Sequence, residues 1–309
     1  MTLVPSAARI VAPIVRGVAC LVAAIIAAGC TPAPLHLAPP QSAAPTAEEF
    51  TKAQSERIAG LASLALRGHA EIRWRDDSGS HFDDGDFDLL VKPPASISVR
   101  ISKIGEKILW VGGGDGQWWI VYPRERPSRA LLRPWVLNAG TGRERASDDA
   151  QGLSRLLDPT RLLETLALCP VEAHDIRSIS WDAVRGGWVI ALQSREILAR
   201  GESLLPVGCT WFDADHRVIA ECVLEGFEWV RGEPLARRAA ETTQPLVATR
   251  ITISVWTGGR SSIDQRADGV CTLAAEVPSY GADRIRPQLF NWTDVQAALR
   301  PELVEDERK

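Results

Sequence analysis

Much of this chain alternates apolar and polar residues with a period of two. Ala70, Ile72 and Trp74 alternate with Glu71 and Arg73; Phe87, Leu89 and Val91 with Asp86 and Asp88; Ile97, Val99 and Ile101 with Ser96, Ser98 and Arg100. Successive strand side chains point to opposite faces, so each run predicts a strand with one apolar face. In the next pair, Ile108 to Val111 and Trp118 to Val121, both faces are apolar, which predicts a cover on two sides. The stretch Gly112-Gly113-Gly114-Asp115-Gly116 between them is rich in residues that accept positive φ and reads as the hairpin loop. Further strands are expected at Trp181, at Trp188, Ile190 and Leu192, from Thr210 to Phe212, from Val218 to Leu224, at Ile251, Ile253 and Val255, and from Val270 to Ala275.

Helical spacing occurs in three places. Phe50, Ala53, Ile58, Leu61 and Leu64 follow Thr46, Glu48 and Glu49, a plausible helix start. A leucine-rich stretch from Asp149 to Leu168 is broken into two short helices by Asp158-Pro159, and the closing run Arg286 to Trp292 leads into a last short helix through Leu299. A helix, about ten antiparallel strands and a helical insertion midway define an α+β class with one large curved sheet. No repeat and no second linker interrupts the pattern, so one domain is expected over 47–300, with a charged tail over 301–309.

The start of the chain has a different character. Arg9 and Arg16 precede the apolar run Val18 to Ala28 and the small residues Ala27-Ala28-Gly29, the parts of a secretory signal peptide over 1–29. Ile26-Ala27-Ala28-Gly29-Cys30 further resembles the lipobox of bacterial lipoproteins, which implies acylation of the Cys30 thiol; the alternative is a plain signal peptide with an incidental cysteine. Acyl chains anchor at about 0.8 kcal/mol per buried methylene, so several of them hold a protein at the bilayer permanently. Thr31 follows the cysteine where an aspartate would imply inner-membrane retention, so the resemblance implies an outer-membrane, periplasm-facing location. Thr31 to Thr46 carries five prolines and reads as a tether over 30–46, able to span roughly 50 Å at about 3.1 Å per residue.

Composition narrows the partners. The chain has 309 residues, 45% of them hydrophobic, enough for a substantial core. Its formal charge is −4, and loss of Arg9 and Arg16 with the signal peptide makes it −6, which argues against nucleic acid or anionic lipid as an electrostatic partner of the chain as a whole. Cys169, Cys209, Cys222 and Cys271 permit two disulfides or four buried thiols. Around the turn Asp213 to Arg217, a three-residue loop with His216 left-handed puts Cys209 opposite Glu221, whereas a two-residue loop puts it opposite Cys222.

Nothing in the chain nominates catalysis. The glycine run is not followed by Gly-Lys-Ser/Thr and leads into a strand, so it lacks the helix dipole of a phosphate loop. Asp83-Asp84-Gly85-Asp86-Phe87-Asp88 lacks the ligand spacing and terminal glutamate of an EF-hand and fits a solvated strand face. The five histidines are scattered, outside any metal-ligand or nucleophile-elbow pattern. A non-enzyme with no cofactor and no metal is expected. The remaining anomaly is 11 tryptophans against 2 tyrosines and 6 phenylalanines, since large rigid rings suit the walls of an apolar cavity as well as ordinary cores.

The order of motifs carries a resemblance. Leu66-Arg67-Gly68-His69-Ala70-Glu71-Ile72-Arg73-Trp74, then Phe87-Asp88-Leu89-Leu90-Val91-Lys92-Pro93-Pro94, then Asp115-Gly116-Gln117-Trp118-Trp119-Ile120-Val121-Tyr122-Pro123 resembles the LolA/LolB-like family of lipoprotein carriers, best over residues 47 to 135. The resemblance implies an unclosed antiparallel β-barrel capped by helices, whose concave face takes acyl chains of a lipoprotein or lipid, with a periplasmic carrier as a further partner. On the strand periodicity, Val99, Ile101, Ile108, Trp110, Trp118 and Ile120 are expected to line that face, extended by Ile251, Ile253 and Val255. The alternative is a structural or sensory envelope lipoprotein that binds a protein partner through the same sheet. An open concavity favours the first reading and a filled one the second.

Overall fold

The computed structural model describes residues 37–38, 43–134, 156–232, 245–281 and 284–307. The segment expected to be a signal peptide, Cys30, most of the expected tether and the first part of the leucine-rich stretch lie outside them. Two compact units are distinguished, Met1–Pro39 with Ala183–Gly186, and Pro40–Asp182 with Gly187–Lys309. Within the first, the Leu37 N–H donates to the Ala183 carbonyl at 2.8 Å. All fourteen strands and the three helices described here belong to the second.

Two meanders make the sheet. The first runs through β1 (Leu64–Asp76), β2 (Gly79–Lys92), β3 (Ser96–Lys103), β4 (Glu106–Gly114), β5 (Gln117–Tyr122) and β6 (Arg129–Pro134). The second runs through β7 (Ser178–Asp182), β8 (Gly187–Ala191), β9 (Arg195–Arg200), β10 (Leu205–Phe212), β11 (Val218–Trp229), β12 (Leu246–Arg260) and β13 (Gly269–Ala275). They join where β1 pairs antiparallel with β13, Ala70 opposite Leu273 and Ile72 opposite Cys271. The order is β14-β6-β5-β4-β3-β2-β1-β13-β12-β11-β10-β9-β8-β7, so among the described residues β14 and β7 are the outermost strands and the sheet is unclosed.

Fourteen strands exceed the expected ten or so, and β6, β9 and β14 account for the difference. The apolar centres of β6 and β9 are short and flanked by charges. In place of a featureless tail, Leu303–Asp306 forms β14, which adds parallel to β6 with Arg133 Nε 2.8 Å from Glu307 Oε2 just beyond it. Charged residues suit such an edge, where they discourage further strand addition.

The sheet curls. Helix α1 (Ala47–Ala59) precedes β1, and its N-terminus is a capping box in which Thr46 and Glu49 each satisfy the other's backbone N–H. Helix α2 (Pro159–Thr165) contacts β3 and β4 as well as β10, which lies six strand intervals from β3. Six intervals span roughly 29 Å in a flat sheet, whereas a seven-residue helix is only about 10 Å long. The strands must therefore wrap around the helix. A Cβ added to Gly68 on the central seam would lie 1.9 Å from the Ala274 carbonyl oxygen, so the neighbouring backbone leaves no room for a side chain there.

The β4–β5 hairpin corrects a second expectation. Its turn is only Asp115-Gly116, both with positive φ (51° and 76°), which is the two-residue type I′ pattern. Gly112, Gly113 and Gly114 belong to β4 instead. A Cβ on Gly112 would come within 2.7 Å of the Trp119 ring, so the missing side chain is the space into which that indole packs. As the apolar pattern implied, both faces of this hairpin are covered: one by the main core, the other by helix α3 (Trp292–Leu299), whose Trp292 ring lies 6.0 Å from that of Trp119.

Candidate functional site

Cross-strand partners share a face, so the register determines what the concave surface contains. Val99 lies opposite Leu89 and Val111, and Val111 lies opposite Ile120. On the other side of the seam, Ile251 lies between Leu224 and Leu273, Ile253 between Cys222 and Cys271, and Val255 between Ala220 and Gly269. Val99, Ile101, Trp118, Ile120, Ile251, Ile253 and Val255 all belong to the large core cluster on this face. Seven of the nine residues expected along it are thus brought together.

The other two differ for separate reasons. Trp110 pairs with Val121 and neighbours Trp119, so its indole points to the opposite, convex face, where it packs with Trp292 and Val295. Its Nε1 donates to Ser98 Oγ at 2.9 Å. Trp110 and Trp118 cannot line one surface, because Trp118 pairs with Gly113 and the alternation separates them. Alternation alone would place Ile108 with Trp110. However, a bulge advances the register from Ile101–Leu109 to Ser102–Lys107 and leaves Ile108 as the extra residue, partly buried against the main core. The tryptophans are divided in the same way: Trp118, Trp188 and Trp211 join the concave cluster, and Trp110 and Trp119 the convex one.

The concavity is filled. Phe50 of α1 and Leu61 just beyond its end enter it on one side; Leu156, Leu157, Leu162, Leu163, Leu166 and Leu168 enter it from the segment inserted between β6 and β7. Burial of each leucine is worth roughly 1.5–3 kcal/mol, so this segment is bound through its apolar face. The break foreseen at Asp158-Pro159 is the start of α2, where the Asp158 carboxylate accepts from the Thr160 N–H at 2.9 Å. Burial raises the Asp158 pKa.

Polar contacts hold the same segment, and the sequence reading missed them. Glu164 on α2 forms an ion pair with Arg195 on β9, both nearly buried, and also accepts from Trp211 Nε1 at 2.9 Å. Desolvation is the largest influence on Arg195 and disfavours its charge, but the Glu164 carboxylate, with smaller contributions from Cys209 and Cys169, offsets it and the guanidinium pKa is raised. Arg57 on α1 donates to the Ala167 carbonyl at 2.7 Å and the Leu246 carbonyl at 3.4 Å, tying the end of α2 to α1 and β12. Burial lowers the Arg57 pKa to about 10. Gln54, also on α1, is buried and donates to the Leu204 carbonyl at 3.3 Å. One signal was available: Glu164 is a lone acid inside Leu162-Leu163-Glu164-Thr165-Leu166, where a charge on an apolar face needs a partner.

The four cysteines of the described residues are free and buried. The turn has the three-residue form with His216 at φ 59°, yet Cys209 faces Cys222 and not Glu221. A bulge that carries the register from Phe212–Val218 to Trp211–Ala220 makes up the one-residue difference. Burial pushes the Cys169 and Cys271 thiols up to about 12, and Cys209 and Cys222 also well above the ordinary thiol range. The acidic run is occupied by protein cations: Lys103 Nζ lies 3.3 Å from Asp83 and also binds Asp84, while Asp88 receives Arg67, Arg100 and Arg284.

These features define the class: an unclosed antiparallel half-barrel with a continuous apolar concave face occupied by helices of its own chain. No family model and no curated protein matches the sequence. Among solved structures the chain is similar to a LolA superfamily protein from Nitrosomonas europaea, at 13% identity and TM-score 0.46, over 81% of this chain and 99% of that one. It is also similar to a DUF1329 family protein from Desulfovibrio piger, at 10% identity and TM-score 0.47, over 81% and 99%. A third is a putative outer membrane lipoprotein-sorting protein domain from Vibrio parahaemolyticus, at 10% identity and TM-score 0.44, over 82% and 100%.

Proposed function

We propose that this protein is an envelope lipoprotein, anchored by lipid at Cys30 to the outer membrane, that binds the acyl chains of lipoproteins or lipids on the concave face of its half-barrel and releases them without breaking a bond. One observation supports this reading above the others. The apolar face extends unbroken across both meanders, and the insertion that covers it is a short helical segment and not a second sheet. Apolar burial is not directional, so an acyl chain can replace leucines there with little net change in buried area. In this reading the leucine-rich segment is the resident occupant and Glu164–Arg195 holds it in place. Val99, Ile101, Trp118, Ile120, Ile251, Ile253 and Val255 meet the chain, and Ile108 borders it.

Titration with a fluorescent fatty acid tests the proposal. Saturable binding is expected, and Leu163→Ser, which weakens the covering segment without touching the sheet, should tighten it at least threefold. Absence of saturable binding in both proteins rejects acyl binding. That outcome supports the second reading, a structural or sensory envelope lipoprotein with a protein partner, which the filled concavity favours. Anchoring is tested separately: Cys30→Ser is expected to abolish palmitate labelling and leave an uncleaved or soluble species, and unchanged labelling would assign the acyl group elsewhere.

A further inference from the structure

A groove of about 800 Å³ lies at the end of the sheet where the β1–β2 turn and the β12–β13 loop meet, away from the filled concavity. Three guanidinium groups line it: Arg73 and Arg75 from β1, and Arg266 from the loop. Of its two carboxylates, Glu71 lies 3.4 Å from Arg73, and Asp268 accepts the Thr257 N–H at 2.6 Å. Arg75 reaches only a hydroxyl, Ser80 Oγ at 3.4 Å, and neither Arg75 nor Arg266 has a carboxylate partner among the described residues. Surplus positive charge therefore collects in a concave site on a chain whose formal charge is −4.

The loop that presents Arg266 is pinned on both sides. Asp268 donates its N–H to the Val255 carbonyl at 2.9 Å and accepts the Arg75 N–H at 2.8 Å through its own carbonyl. Trp256 Nε1 donates to the Gln265 carbonyl at 3.1 Å, and the Gln265 side chain accepts the Ser261 N–H at 2.6 Å. A cation held on such a loop loses less entropy on binding than one on a free loop. Beside the cations, Phe82 lines the groove and is 57% exposed, with Arg73 over its ring at 5.5 Å. Arginines that fork onto oxyanions, with an apolar side chain left in solvent next to them, are the chemistry of a phosphate-headgroup site.

We propose that this groove binds a phosphate ester, with Arg75 and Arg266 holding the oxyanion and Arg73 adding charge, and that Phe82 borders the ester's apolar substituent. The site is independent of acyl binding on the concave face, since a phosphate without a chain occupies it.

Calorimetric titration of the full-length protein in uncharged detergent micelles tests this with two probes, inorganic phosphate and dihexanoyl phosphatidylglycerol. Saturable binding is expected, weakened at least tenfold in Arg75→Ser/Arg266→Ser and unchanged in Arg124→Ser, whose guanidinium is engaged by Glu106 at 3.0 Å. Tighter binding of the lipid than of inorganic phosphate assigns the site to a membrane headgroup, and equal binding assigns it to a free phosphate ester. Either result supports the site. No saturable binding of either probe, or equal binding to the wild type and to a double variant with an unaltered melting temperature, overturns it. Failure of fatty-acid binding with phosphate binding intact would leave this site standing and reject only the acyl reading.

Discussion

Replacing Arg195 with alanine is expected to destabilise the protein by roughly 3–5 kcal/mol, because removing one partner of a buried ion pair leaves the other charge uncompensated in an apolar surrounding. Glu164 would retain only the Trp211 indole N–H at 2.9 Å and would sit against buried Cys169 and Cys209. Denaturant unfolding measures the loss. The double replacement Arg195→Met/Glu164→Leu should recover most of it, since an apolar pair of similar volume removes both charges from the core. A loss under about 1 kcal/mol in the single variant would mean that Glu164 is hydrated and the segment is not held by this contact. The same variant bears on function: if α2 covers the acyl-binding face, Arg195→Ala should raise fatty-acid affinity while lowering stability.

Gly68→Ala should be nearly as damaging for a different reason. Its Cβ would approach the Ala274 carbonyl oxygen to 1.9 Å and the Ala275 Cα to 2.8 Å, and both obstacles are backbone. Overpacking of side chains commonly costs roughly 1–3 kcal/mol, and here no side chain can rotate away, so the effect should lie at or beyond the top of that range. The position matters because β1–β13 is the seam between the two meanders. Gly60→Ala makes the comparison. Gly60 has φ −72°, and its nearest contact would be 3.5 Å, so the change there should be neutral or stabilising by about 0.4–1 kcal/mol. Thermal melting of both variants measures the difference, and similar melting temperatures would show that the seam can open without cost.

Local chemistry was legible in the chain. The helix start at Thr46, the period-two strands, a short closing helix ending at Leu299 and the break at Asp158-Pro159 all appear where the pattern placed them, although the first helix ends at Ala59 and Leu64 opens β1 instead of continuing its apolar spacing. Each depends on neighbours a few residues away, through backbone hydrogen bonds and side-chain alternation that the sequence states directly. Strands β6, β9 and β14 were not legible, because a short or charged segment becomes a strand only when an adjacent strand supplies its hydrogen bonds.

The candidate site shows the same division. Periodicity alone identified Val99, Ile101, Trp118, Ile120, Ile251, Ile253 and Val255 as residues of apolar strand faces, and one large curved antiparallel sheet followed from their number and spacing, whereas its unclosed form was what the family resemblance implied. Which faces coincide was decided by register. One bulge turned Ile108 towards the main core, another brought Cys209 opposite Cys222, and the pairing of Gly113 with Trp118 sent Trp110 to the far side. Whether the concavity stands open was decided still further from the local sequence, by α2 meeting strands on both sides of the seam and by Glu164 meeting Arg195 thirty-one positions on. A sequence sets the period of its apolar residues, but a one-residue slip exchanges the faces of a strand, and only the packed sheet selects among such slips.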